Sequence, residues 1–202
     1  MEVADVFSDL PTLHTERLVL RPLTPADVDD VFAYASDPAV ARHTTWDPHA
    51  TPADSRCFVE SIVARGAAGA VAPWGMQLKA DGIVVGTCGF VYWVPRHGRA
   101  EVAYALAQRV WGRGLMTEAI RAVLTFGFEV MRCNRIEGRC LPENAASAAV
   151  LEKGGMCYEG VIREHVYVKG AYRNVGLYSV LAREWRGREV PAAKGGTDEA
   201  TG

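Results

Sequence analysis

Two glycines spaced two apart, Gly112 and Gly114, with Arg109 three positions before the first, stand where a strand pattern gives way to a long helical one. Glycine adopts positive φ freely and leaves no side chain in the path of an incoming anion. The first amides of a helix lack intrahelical acceptors and lie at the positive end of its dipole. Arg109, Val110, Trp111, Gly112, Arg113, Gly114, Met116 and Thr117 therefore make a candidate cradle for a phosphate or pyrophosphate. The GxG spacing alone fits a plain strand-to-helix turn equally well. Two familiar phosphate loops do not fit: a P-loop needs Lys-Ser/Thr after the second glycine, where Leu115 and Met116 stand. A dinucleotide fingerprint needs a third small residue at Thr117, within a parallel βαβ unit.

The elements that must position this cradle can be read around it. Residues 17–23 carry the first strand signal, and two helix starts follow the same grammar: Thr24-Pro25 with Asp27, then Thr51-Pro52 with Asp54. Asp37-Pro38 and Asp47-Pro48 punctuate the stretch between them. From Trp74 the period becomes two, giving strands over 74–79 and 83–94 around Asp81-Gly82, and a third over 100–107. The helix over 112–131 has a narrow polar stripe (Glu118, Arg121, Thr125, Glu129, Arg132), so the fold must cover most of it. A strand over 135–141, a short helix over 144–153 ending at Gly154-Gly155, and two closing strands complete the order β-α-α-β-β-β-α-β-α-β-β. This is a mixed α/β arrangement in one domain, 13–186, with a flexible lead-in over 1–12 and a flexible tail over 187–202.

Composition narrows the function. The 202 residues carry 22 basic and 24 acidic side chains, a net charge of −2, which argues against a general nucleic-acid or membrane-surface binder. No apolar run reaches the ~18–20 residues of a membrane span, and the N-terminus lacks a secretory pattern. Five cysteines without a CxxC pair suit a reducing cytoplasm, and five histidines without ligand spacing predict no metal.

The motif from Arg109 to Gly114 resembles the R/Q-x-x-G-x-G/A signature with which GNAT N-acetyltransferases hold the pyrophosphate of acetyl-coenzyme A. Residues 101–106 (EVAYAL) are similar to that family's central strand. The run from Asn144 through Ser147, Val150, Leu151, Glu152, Lys153 and Gly155 to Met156 resembles the later helix of the ribosomal-protein alanine N-acetyltransferase branch. The opening ERLVLRPL (16–23) and Ser36-Asp37-Pro38 look like that branch too, so the likeness spans 13–186 in order.

The resemblance implies a GNAT fold: a mostly antiparallel sheet flanked by helices, whose central strand splays from the next one after a bulge. Acetyl-CoA would lie in that wedge, along Tyr104, Ala105 and Leu106, with Asn144 and Ser147 near the thioester. A primary amine would attack the thioester directly in a ternary complex, without a covalent enzyme intermediate. Glu101 is the implied base; the competing reading is a strand-edge carboxylate paired with Arg99 or Arg135. The tyrosine that many members place seven residues after the asparagine is Leu151 here, so Ser147 is the implied acid and Tyr158 a reserve. As a plain helix end, Asn144 and Ser147 would serve as N-cap and N3 residue. The acceptor best implied is a protein N-terminal α-amine, such as that of a ribosomal protein. A small-molecule or antibiotic amine, or a non-catalytic acyl-CoA-binding module, are the alternatives, and homodimers are common in the family. Trp46, Trp74, Tyr92 and Trp93 are expected in the core or in cross-strand pairs rather than a groove. Residues 163–165 read as a solvated face, and Cys140 and Cys157 as small buried hydrophobes.

Overall fold

The computed structural model describes residues 1–185, so residue 186 and the expected tail over 187–202 lie outside the described residues. The chain opens packed rather than frayed. Positions 1–12, expected as a flexible lead-in, contain helix α1 (Ala4–Phe7), whose Phe7 is 1% exposed and lies 6.3 Å from the Trp93 ring. The Trp74 indole donates to the Pro11 carbonyl at 2.7 Å. Burying one phenylalanine contributes about 1.5–3 kcal/mol toward holding this segment against the core.

Strands β1 (Leu13–His14) and β2 (Leu18–Arg21) pair antiparallel. The two Thr-Pro starts then act as their chemistry requires: Asp27 accepts from the Thr24 amide at 2.7 Å, and Asp54 from the Thr51 amide at 2.8 Å. They open α2 (Val28–Ala35), through a 3₁₀ turn over Pro25–Asp27, and α4 (Pro52–Ala67); between them Asp37 caps the short α3 (Pro38–Ala41). Then follow β3 (Trp74–Leu78), β4 (Val84–Val94), β5 (Arg99–Leu106), α5 (Leu115–Glu129) and β6 (Arg135–Cys140). After α6 (Ala145–Gly154) come β7 (Cys157–Val168), β8 (Ala171–Leu181) and α7 (Ala182–Trp185). The expected order therefore runs from β2 to β8, with α1, β1, α3 and α7 as additions.

All eight strands form one sheet in the order β1-β2-β3-β4-β5-β6-β8-β7. Among the described residues only β5 and β6 pair parallel, and α5 is the crossover that such a pair demands. Helix α5 lies tight on one face: a methyl at Gly127 would meet Ile136 Cδ1 at 2.6 Å and Phe90 Cζ at 2.9 Å. Helix α2 covers the other face, where Tyr34 and Thr87 are both buried. The core between these layers joins Leu18, Leu20, Trp74, Phe90, Ile120 and Leu124, all fully buried.

Candidate active site

The parallel pair opens into a wedge. Its register runs from Arg99↔Arg135 to Val102↔Gly138 and stops, although β5 continues to Leu106 and β6 to Cys140. The Gly98 carbonyl accepts from β6-side amides, whereas the Ala107 amide donates to Val85 on the β4 side. Alternate residues of a strand aim their amides at opposite neighbours, so Tyr104 and Leu106 turn theirs toward the gap that β6 leaves. The Leu106 carbonyl takes the Trp111 indole N–H at 2.7 Å, which folds Trp111 back over the strand end. The expected bulge belongs to the other neighbour: Val91 of β4 is the extra residue between Phe90↔Val102 and Tyr92↔Glu101.

At the mouth of the wedge the glycines take the conformation their type allows. Gly112 and Gly114 have φ of +73° and +75°, and Gly114 caps α5 without a side chain. Among the described residues no backbone acceptor takes the amides of residues 112–117; Glu118 is the first to bond back, to the Gly114 carbonyl at 3.0 Å. A Cβ on Gly112 would meet nothing within 4 Å, so the space over these amides is open. Such a row of free N–H groups at the head of a 15-residue helix fits an anion. Arg109 and Arg113 are exposed beside it. The side chains of Val110 and Met116 are buried in the core, so these two can offer a ligand only backbone.

A clamp missed in the sequence holds this loop. The Arg17 guanidinium donates to the Arg113 carbonyl at 2.8 Å and to Glu118 Oε2 at 2.7 Å. Glu118 Oε1 also accepts from the Thr15 hydroxyl and the Arg17 amide. Burial would raise the Glu118 pKa, but these donors outweigh it and hold it below the ordinary carboxylate range. Sequence spacing placed Glu118 on a polar stripe; its partners lie about a hundred positions away, beyond any local pattern. Arg17→Ala should therefore weaken coenzyme A binding by about tenfold, read by calorimetry, because the loop loses a charge-assisted bond worth ~1.5–3 kcal/mol. Unchanged affinity would mean the cradle holds its shape unaided.

The candidate acid–base groups flank the wedge on opposite sheet faces. Glu101, with its side chain 12% exposed, pairs with Arg139, not with Arg99 or Arg135. Arg99 instead lies 5.8 Å over the Tyr92 ring, while Arg135 binds Glu137 and Glu159. Register explains the choice: Glu101 sits opposite Glu137, and Arg139, two residues on, shares its face. Arg139 also reaches Glu137 at 3.0 Å, and Glu137 accepts the Tyr92 hydroxyl at 3.1 Å. Burial raises the Glu101 pKa, Arg139 pulls it back and the Glu137 charge raises it again; the net direction is upward.

On the other face, Asn144 Oδ1 accepts from the Ser147 amide at 3.1 Å, as an N-cap and N3 residue should. The Ser147 hydroxyl lies 2.9 Å from the Tyr104 hydroxyl, which also donates to the Ser147 carbonyl at 3.1 Å. Burial raises the Tyr104 pKa far above the usual phenol value. Sequence reasoning used Tyr104 for its backbone and missed its ring. The available signal was alternation, which puts a tyrosine on the buried face of Ala100 and Val102, where its hydroxyl needs a partner. Leu151 is core and packs on Gly138, while Tyr158 is exposed with its ring 5.2 Å from Tyr178. Trp74 and Trp93 are buried, Trp46 is half-buried beside His49, residues 163–165 are exposed, and Cys157 is exposed rather than buried. Cys157 ends up so because it opens a strand at the outer edge of the sheet. No group of metal-holding side chains occurs among the described residues, and no helix there is long and apolar enough to cross a membrane.

The family described as an acetyltransferase (GNAT) domain matches residues 17–157. This chain belongs to the GNAT acetyltransferases. It is 33% identical to an uncharacterized N-acetyltransferase p20 of Bacillus licheniformis over 178 residues, covering 88% of this chain and all of that one (100%). A [Ribosomal protein uS5]-alanine N-acetyltransferase of Escherichia coli is 24% identical, over 86% of this chain and 92% of its own. Among solved structures, a GCN5-related N-acetyltransferase from Brucella melitensis superposes with a TM-score of 0.79 at 25% identity, covering 87% of this chain and 80% of that one. The mixed α/β GNAT fold and N-acetyltransferase class expected from the motifs are thus those of the protein. The GNAT family's cosubstrate is acetyl-CoA, and the open amides of residues 112–117 are chemically suited to its diphosphate.

Proposed function

We propose that this GNAT enzyme acetylates the α-amine of a protein N-terminus, with Glu101 as base and Ser147, backed by Tyr104, as the proton source for the leaving thiolate. The amine nitrogen attacks the thioester carbonyl carbon; the N–C bond forms and the C–S bond breaks. The amine proton passes to Glu101, directly or through water, and a hydroxyl proton reaches the sulfur from the opposite face of the sheet. Backbone N–H groups of β5 at the wedge are placed to polarise the carbonyl oxygen.

The observation that carries this reading is the Glu101–Arg139 pair. A carboxylate that burial raises above its ordinary range, against the pull of Arg139, is still a modest base. An α-amine with pKa ~7.7–8.0 is already roughly a tenth neutral at pH 7, whereas lysine at ~10.4 is nearly all charged and would need a stronger one. The likeness to an alanine N-acetyltransferase acting on a ribosomal protein supports the same class of acceptor. Thiol release with peptides bearing a free α-amine, set against N-blocked lysine peptides, tests it: the α-amine should win by at least tenfold. Equal rates, or a preference for lysine, would reverse the assignment.

Tyr104→Phe should lower kcat by about ten- to a hundredfold, a fraction of what general acid catalysis contributes, while leaving coenzyme A affinity as it was. Since burial moves Tyr104 upward, its hydroxyl stays protonated throughout the neutral range, and no alkaline loss of activity should arise from it below pH ~10. A variant with wild-type kcat would leave Ser147 acting alone.

A further inference from the structure

Beside the proposed reacting centre lies a basic cavity, in a chain whose net charge is −2. Its volume is about 280 Å³, and its wall includes Arg42, His43, Glu143, Lys169 and Arg173. Topology fixes where it lies. Glu143 immediately precedes Asn144, the cap of α6, so this wall is the same connection that presents Ser147. Arg173 stands on β8 three residues before Gly176, which pairs with Cys140 at the end of the wedge. Ser179 bonds Arg135 on the Glu101 side of the sheet, and the two-residue period of β8 carries that side through Val175 to Arg173. Lys169, in the β7–β8 turn, donates to the carbonyls of Ala41 and Arg42 and so ties the hairpin to the end of α3.

The charges here are unspent. Arg17, Arg21, Arg135 and Arg139 are each paired with a carboxylate, but among the described residues Arg42, Lys169 and Arg173 are in no ion pair. Three basic side chains and one acid, Glu143, line the cavity with His43. The mutual repulsion of the three cations, though screened by solvent, is relieved when an anion enters between them. We infer that the cavity receives a carboxylate of the acceptor: the substrate peptide carries Asp or Glu about three residues from its α-amine. From Arg173 to Gly176 at the end of the wedge is ~10 Å along β8, a span that three residues of an extended peptide cover. The inference rests on the protein N-terminus reading, and it adds a sequence preference to it.

The test uses two peptides that differ only by Glu or Gln at the third position, titrated by calorimetry into the intact protein saturated with coenzyme A. The Glu peptide should bind about tenfold more tightly at low salt, with the advantage shrinking as salt screens the exposed cations. In Arg42→Gln/Arg173→Gln, exposed positions whose folding is checked by circular dichroism, the advantage should vanish. Equal affinities, or an advantage that survives in the double variant, overturn the inference. Turnover separates it from its premise: no thiol release from either peptide, with the affinity difference intact, removes the N-terminal amine and leaves the carboxylate subsite standing. Faster acetylation of 6-aminohexanoate than of the Glu peptide overturns the peptide as the source of that carboxylate.

Discussion

Gly112→Val should reduce coenzyme A affinity by at least a hundredfold. Two effects add. At φ +73° a β-branched residue is strained by about 1–3 kcal/mol, so the loop leaves the conformation that aligns its amides. The new side chain also enters the open space over those amides, where charge-assisted bonds worth ~1.5–3 kcal/mol each would form with the diphosphate. At ~1.36 kcal/mol per decade, two lost bonds suffice. Gly112 is exposed, so the core survives, and thermal unfolding should show the variant folded. Calorimetric affinity within threefold of wild type would show that the diphosphate is held elsewhere.

Glu101→Gln should lower kcat/KM by about 10²–10⁴-fold at neutral pH with little change in coenzyme A affinity. The fold tolerates the change because Arg139 keeps Glu137 as a partner. The sign of the pH effect follows from the direction of the shift. Only the ionised carboxylate accepts a proton, so activity rises with pH through the Glu101 pKa, and burial places that limb above the ~4.3 of a free glutamate. The variant should lose this limb and retain only the rise that belongs to the amine. Rates unchanged from pH 6 to 9 would remove Glu101 from the chemistry and leave it as a structural half of an ion pair.

What could be read from the sequence divides by how far apart the interacting residues are. Thr24 with Asp27 and Thr51 with Asp54 are three positions apart, and the caps they predict are those found. Asp37-Pro38 carried the same signal in a shorter run; read as punctuation, it is the cap of α3, with the Ala39 amide on Asp37 at 2.8 Å. The glycines of the cradle could be found because a positive φ is a property of one residue at a time. Glu101 could be singled out through the family resemblance, but its partner depends on the β5–β6 register, which strand periodicity does not supply. Arg17 and Phe7 were out of reach for the same reason: each acts on residues brought near only by the assembled sheet. Tyr104 was half-read, its backbone assigned and its ring overlooked, since the role of the ring requires knowing that α6 lies over that face.

The single parallel pairing has a consequence for the protein without its cosubstrate. Where β6 departs, the amides of Tyr104 and Leu106 form a stretch of strand edge in the middle of a sheet rather than at its rim. If acetyl-CoA lies along it, as the resemblance to the family implies, the cosubstrate supplies the missing rungs of the ladder. Loading would then slow deuterium uptake at the Tyr104 amide and lift the melting temperature by mass action, so that in the cell the acetyl donor also acts as a folding ligand.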